Sequence, residues 1–409
     1  MMTSTRSKSK PSVFTTIVSV LTTSLLVSQP ALSDDLDLSW DEQLQRAKGQ
    51  TVYFNAWGGG DRINSYLEWA ATRVKEEYGV ILEHVKIGDI AEVVGQLEAA
   101  KAVGRDTDGN VDLMWVNGEN FAAMKRNDLT WGAFADALPN TAFVKDSPSI
   151  KMDFSVPVDG LESAWGGAQL VFFHDSANLP EPPKSAEALL SFVKEGGRFA
   201  YPAPPVFHGT TMVKQFLYDL TDQRTALAQP VSDADFEAVT APLWSYLDEL
   251  HPMLWGKGKS WPNSAEKTRQ MLDDGELDIA LSFNPNEASA AVKDGQLADT
   301  VRTYAFDGGT IGNTHFVTIP YNATAKAGAM VVANFFISAE AQARKASPDV
   351  WGDPTVLDMQ KLTPEDKALF DAIDLGPWVL QATSSKTLPE PHASWAAALE
   401  EAWLKRYGN

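Results

Sequence analysis

The 409-residue chain contains no cysteine. That excludes a disulfide framework, a thiol nucleophile and any cysteine-ligated zinc or iron–sulfur centre. Positive charge is scarce as well: 34 Lys and Arg stand against 54 Asp and Glu, a formal net charge of −20. A surface of that sign repels phosphate backbones, so nucleic acid is not expected as a partner. The six histidines (84, 174, 208, 251, 315 and 392) are scattered singly, without the spacing of a metal site. No metal and no cofactor is expected.

Catalytic signatures are missing too. Gly256-Lys257-Gly258-Lys259-Ser260 ends like a phosphate-binding loop, but Met253 stands where the first glycine belongs. Asp106-Thr107-Asp108-Gly109-Asn110 resembles the start of a calcium loop. Its glycine falls at the wrong position, and Asn117 replaces the bidentate glutamate. Gly58-Gly59-Gly60 lacks the dinucleotide spacing, and no Gly-x-Ser-x-Gly or His-Glu-x-x-His occurs. No catalytic residue is therefore assigned, which favours binding over chemistry.

What is present starts with the N-terminus. Arg6, Lys8 and Lys10 precede an apolar stretch from Val13 to Val27, and Ala31-Leu32-Ser33 gives a small-x-small cleavage pattern. The apolar stretch is shorter than the roughly 20 residues that span a bilayer. Residues 1–33 are therefore expected to be a cleaved secretory signal, which places the mature protein in the periplasm.

The remainder is apolar enough, at 44% hydrophobic overall, to bury a large core. It is too long for one ordinary domain of roughly 100–200 residues. Short apolar runs at Thr51–Phe54, Val80–Val85 and Val111–Trp115 alternate with helical patterns, including one that Asp61 could cap. Such alternation predicts an α/β fold with parallel strands covered by helices. It resumes after a Pro-containing stretch. An extended segment, Glu162–Phe173, is interrupted by Gly166-Gly167, and further strands are expected at Arg198–Tyr201 and Leu277–Leu281. A second α/β unit is thus expected over roughly 160–300. Beyond Ala339 the pattern is Trp- and Leu-bearing helix between proline turns.

Ligands of doubly wound sheets sit beyond the carboxyl ends of the strands. The residues expected there are Asn55, Trp57, Gly58 and Gly59 with Asp61, then Trp115 and Asn117, then Phe207 and His208, then Asn284 and Asn286. Trp165 lies in the extended segment entering the second unit, and Trp261 just before a later helix. Aromatic rings, amides and glycines without an obvious nucleophile are suited to holding a small molecule by its faces and polar edges. Each tryptophan taken singly is equally suited to core packing.

Several segments carry a resemblance to bacterial extracellular solute-binding proteins of ABC importers. They are Val52-Tyr53-Phe54-Asn55-Ala56-Trp57-Gly58-Gly59, the strand Val111–Trp115 with Asn117-Gly118, and the crossing Val156-Pro157-Val158. Met271–Ala280, with its Gly-x-x-Asp-hydrophobic-Ala pattern, and Ala329–Ala341 belong to the same set. The Trp-Gly-Gly opening resembles the proteobacterial thiamine-transport group in particular.

The resemblance implies a two-lobed, type II periplasmic-binding-protein-like fold, each lobe a mostly parallel sheet flanked by helices, joined by crossing strands. Lobe 1 would comprise 34–158 and 306–345, lobe 2 would comprise 159–305, and 346–409 would form a C-terminal helical segment. It further implies a monomer that closes on a small organic solute, cationic or aromatic and thiamine-like, and delivers it to a membrane permease. Sugars and polyamines also suit aromatic faces. The ferric relatives use adjacent tyrosines, and no Tyr-Tyr pair occurs here. Two other readings are a periplasmic hydrolase using Asp159 and Glu162, and a partner-binding or chaperone-like protein.

Overall fold

The computed structural model describes residues 1–3, 36, 38–380 and 386–408. The expected signal segment lies almost entirely outside the described residues. Among those described, no helix is long and apolar enough to cross a membrane.

The first helix, α1 (Trp40–Ala47), opens on a capping box: Ser39 and Glu42 each hydrogen-bond the other's backbone N–H. Strand and helix then alternate as expected through β1 (Thr51–Trp57), α2 (Asp61–Tyr78), β2 (Ile81–Ile87), α3 (Ile90–Ala102), β3 (Leu113–Val116) and α4 (Glu119–Arg126). Gly79 ends α2 in the left-handed region at φ 71°, and the Asp89 carboxylate caps α3. Asp61 is the first helical residue of α2 rather than its cap. Gly60 holds the cap position, and the Asp61 carboxylate acts only on the helix dipole.

A short helix, α5 (Pro148–Lys151), leads into a small hairpin of β4 (Met152–Asp153) and β5 (Val156–Pro157). Next come β6 (Glu162–Gln169), β7 (Val171–Asp175), α6 (Ala186–Lys194), α7 (Phe207–Leu220), α8 (Phe236–Leu250), α9 (Ala265–Asp273), β8 (Ile279–Ser282), α10 (Glu287–Lys293) and β9 (Val301–Tyr304). The last elements are β10 (Thr310–Thr318), α11 (Lys326–Phe336), α12 (Ala339–Ala346), α13 (Pro364–Asp371), β11 (Thr387–Leu388) and α14 (Ser394–Tyr407).

The larger sheet has the order β11-β10-β3-β1-β2, with β6 also on β10. Its β1–β2 and β1–β3 pairs are parallel, whereas β10 runs antiparallel to β3 and to β6. The smaller sheet, β8-β7-β9, corrects the expectation of a mostly parallel second lobe, since both of its pairings are antiparallel. For the β7–β9 pair the cause is continuity: β7 follows β6, and β9 precedes β10. The two crossing strands run in opposite directions and keep that sense where they enter the second half. The expected strand at Arg198–Tyr201 contributes only a parallel bridge, Phe199 to Ile279.

Two large cores match the two halves. One gathers Val52, Phe54, Tyr66, Leu113, Trp165, Val331 and Phe336. The other gathers Phe172, Leu189, Phe199, Phe216, Leu247 and Leu281. Each such side chain contributes about 1.5–3 kcal/mol when fully buried. A third cluster, with Val93, Val94, Met114, Val116 and Phe121, lies beneath α3 and α4. The end of the chain is shared: Trp351, Leu357 and Leu362 join the first core, and Leu388, Trp395, Leu399 and Trp403 join the second.

Candidate functional site

The end of β1 leads into the glycine run. The Trp57 indole is 42% exposed and lies along the backbone of that loop. A Cβ added at Gly59 would come within 2.5 Å of the ring, and one at Gly58 equally close to the Lys86 side chain. Only glycine permits both approaches. Asn64 fixes the loop from α2 by donating from Nδ2 to the Gly58 carbonyl at 3.0 Å. Asn55, two residues before Trp57, is buried, and its Nδ2 has no partner.

At the end of β3, Asn117 is half-buried and Gly118 has φ 61° and ψ −127°, which side chains do not tolerate. The Gly118 N–H donates to Asp153 Oδ2 at 2.7 Å, and a Cβ there would strike the Phe154 ring.

Trp115 sits where β3, β6 and β10 meet. Its ring makes edge contacts with Trp165 at 5.1 Å and His315 at 5.0 Å, and Trp351 lies 5.7 Å away. The pairing of β6 with β10 shifts register between His315 and Phe316, leaving Trp165 without an opposite residue. The freed Trp165 carbonyl accepts from Gln342 Nε2 at 2.7 Å and from Lys345 Nζ.

Lys345 is fully buried and ion-paired to Asp353, whose other oxygen meets His315 Nε2 at 3.0 Å. Burial pushes the Asp353 carboxyl up, but Lys345 and His315 together hold it below the usual carboxylate range. The Lys345 ammonium also lies 5.4 Å from the ring centroids of both Trp165 and Trp351.

In the second half, Phe207 and His208 open α7. Phe207 is 41% exposed and makes edge contacts with Phe283 at 5.2 Å and His208 at 5.5 Å. Burial depresses the His208 pKa against the opposing pull of Glu266. Further along α7, the buried Lys214 pairs with Glu390 at 2.6 Å and faces the rings of Phe154 and Phe207. Asn284 and Asn286 reach to the first half's last segment, donating to the carbonyls of Trp351 at 3.2 Å and Gly352 at 2.7 Å. Beside them Arg62 pairs with Asp294 and the Pro348 carbonyl.

The expected residues therefore sort into groups. Trp57, Gly58 and Gly59 form one loop, with Asn55 and Asp61 at its two ends. Trp115 and Trp165 share an aromatic cluster, and Phe207 adjoins His208. Asn284 and Asn286 join the halves. Trp165 has no exposed surface and packs on Phe336 at 4.9 Å. Trp261 packs against Tyr201, His251 and Trp403 in the second core. Sequence reasoning missed Trp351, Asp353, Lys345, Lys214, Glu390 and Phe154. A Trp-Gly-Asp following a helix carries no local signal, and its partners lie far away in the chain. Among the described residues no group of three or more His, Asp or Glu is arranged to hold a metal ion.

Compared with known proteins, the chain is 46% identical over 374 residues to Protein YnjB of Escherichia coli (strain K12), covering 90% of this chain and 94% of that one. The chain belongs to the YnjB family. No family model matches it. Among solved structures it is similar to an ABC transporter substrate-binding protein from Bradyrhizobium japonicum USDA 110, with 16% identity, a TM-score of 0.59, and 87% of this chain and 99% of that one covered. It is also similar to the periplasmic binding protein AfuA from Actinobacillus pleuropneumoniae, bound to fructose-6-phosphate, with 15% identity, a TM-score of 0.58, and 88% and 99% covered. The fold is thus that of the type II periplasmic binding proteins, an α/β architecture with a mixed sheet and flanking helices.

Proposed function

We propose that this protein is the periplasmic solute-binding component of an ABC importer, exported through residues 1–33, acting as a monomer and handing its solute to a membrane permease. The lobes are taken as 34–158 with 306–345 and 159–305, except that β6 joins the first lobe's sheet, and the described residues of 346–409 join both cores. The solute is held between the halves by Asn55, Trp57, Gly58, Gly59, Asp61, Trp115 and Asn117 on one side and Phe207, His208, Asn284 and Asn286 on the other. No bond is made or broken. Closure follows from the ligand's preference for the closed arrangement.

The solute is a small organic cation with an aromatic or otherwise stackable face, thiamine-like in chemistry. The observation that carries this reading is the fate of the buried cations. Lys345 and Lys214 are each neutralised by a carboxylate, while Trp57 and Phe207, one on each half, stay about two-fifths exposed, at 42% and 41%. Ring faces and surplus carboxylate attract cations. A polyamine satisfies the same chemistry. The hydrolase reading loses its pair: Asp159 is exposed and bound to Lys125 at 2.6 Å, whereas Glu162 is buried.

Native mass spectrometry of freshly purified protein, followed by intrinsic fluorescence titration with thiamine, spermidine and neutral sugars, tests the proposal. Saturable quenching by a cation and none by the sugars is expected. A flat response to the cations with a response to sugars would overturn the ligand class.

A further inference from the structure

The β4–β5 hairpin turns through Phe154 and Ser155, with φ of 40° and 61°. A two-residue hairpin turn of this kind normally carries Gly, Asn or Asp, because other side chains are crowded at positive φ. Here the turn is held by contacts on both halves. The Phe154 ring packs on Gly118 and Ala122 of the first half and on Ala393 of the second. Its carbonyl accepts from the Ala393 N–H at 3.0 Å, and the Lys214 ammonium stands 4.8 Å from its ring centroid. Ser155 Oγ donates to the Glu390 carbonyl at 3.0 Å. The Glu390 carboxylate in turn holds Lys214 at 2.6 Å and accepts from Asn313 Nδ2, on the crossing strand β10, at 3.4 Å.

The base of the hairpin is a pair of buried acids. Asp153 and Glu162 are each about 1% exposed. Asp153 Oδ2 accepts from Gly118, but its Oδ1 and both oxygens of Glu162 have no partner. Facing Asp153 are the carboxylates of Glu390 and Glu119 as well as Glu162, and facing Glu162 are Asp153 and Lys125. Two ionised carboxylates with one donor between them are not sustained at such a site.

We propose that the β4–β5 hairpin is a clasp that fastens the two halves to each other, and that a proton retained by Asp153 and Glu162 keeps it fastened. Losing the proton to solvent leaves a second negative charge beside Glu119 and Glu390. Asp153 then relieves the repulsion by moving outward, and the adjoining Phe154 and Ser155 leave their seats on the second half. Burial, and after it the mutual repulsion of the acids, holds both groups above the ordinary carboxyl range, so release comes on raising the pH.

The absence of cysteine makes the test direct. Spin labels on Lys75→Cys and Glu195→Cys, both exposed and one on each half, report the separation of the halves by pulsed electron paramagnetic resonance. In an otherwise unaltered chain, one narrow distance at pH 5.5 should give way to a growing longer population by pH 9. Adding Glu162→Gln, which removes the second charge at constant shape, should hold the narrow distance at pH 9. Adding Phe154→Gly should produce the longer population at both pH values.

An unchanged distance across the range in the unaltered background overturns the proposal, as does an E162Q chain that opens like its parent. Loss of the near-ultraviolet dichroism in step with the longer distance also overturns it, since that is unfolding rather than release. No ligand enters the measurement, so it stands or falls separately from the proposed function.

Discussion

The Trp165 carbonyl and the Gln342 side-chain amide meet at 2.7 Å, a contact made available by the bulge in β6. Gln342 is fully buried and makes three further bonds: Nε2 donates to the Phe336 carbonyl at 2.7 Å, while Oε1 accepts from Thr355 Oγ1 and the Val356 N–H. Replacing it with leucine orphans the Phe336 carbonyl and the Val356 amide, strips the Thr355 hydroxyl of its acceptor and leaves the Trp165 carbonyl to Lys345 alone. We expect Gln342→Leu to cost about 3–5 kcal/mol, since each buried group left unpaired costs about 1–3 kcal/mol and relaxation recovers part. Urea unfolding measures this, and a loss below about 1 kcal/mol would contradict it.

Gly166 is expected to be irreplaceable for a different reason. A Cβ there would fall on the Asp353 carboxylate and within 2.7 Å of Lys345 Nζ. Gly166→Ala must therefore push apart a buried ion pair, and breaking such a pair costs about 3–5 kcal/mol. The neighbouring Gly167 has only ordinary contacts, near 3.8 Å. Gly167→Ala should be milder by at least half in thermal or urea unfolding, and equal effects would count against this account.

Acid should weaken the second core through His251. This ring is buried against Trp261, Trp403 and Tyr407, and its Nε2 meets the Tyr201 hydroxyl at 2.7 Å. Burial pushes its pKa from 6.5 down to about 4, with Asp248 opposing. As pH falls through that window the unfolded chain takes up a proton that the folded chain refuses. Stability is therefore lost from about pH 6.5 to 4, by about 3 kcal/mol from this group. Urea unfolding of His251→Gln should start lower at pH 7 and fall less steeply toward pH 4.5. Parallel curves for variant and parent would refute the assignment.

Solute binding should depend on the exposed indole of Trp57 and on the loop that shapes it. Trp57→Ala should weaken binding of a stackable cation by about five- to thirtyfold, the effect of losing a cation–ring contact of about 1–2 kcal/mol. Gly59→Ala should weaken it as well, by displacing the ring, while leaving unfolding midpoints nearly unchanged. Calorimetric titration with the solute identified by mass spectrometry measures both.

The first half was legible because its parallel strands and helices follow one another closely, with a helix-stopping glycine at Gly79 between α2 and β2. The second sheet was less so. Its direction is inherited from β6 and β10, which pair across more than a hundred residues. In the candidate site, strand-end reasoning reached Trp57, Trp115 and Asn117 because Trp57 and Trp115 lie at the ends of β1 and β3 and Asn117 directly follows β3. It could not reach Trp351 and Asp353, whose place depends on a tail folding back over the first core. Nor could it distinguish Trp165, enclosed by a bulge, from Trp57 in the open, because burial is decided by distant neighbours such as Phe336.

The tail has a further effect on how the molecule can be made. Trp395, Leu399 and Trp403 complete the second core, and Trp351 to Leu362 complete the first. Neither hydrophobic centre can be sealed while the chain is still being elongated at those positions. Both centres therefore close only when residues far apart in the chain have come together, so neither half consolidates independently of the tail.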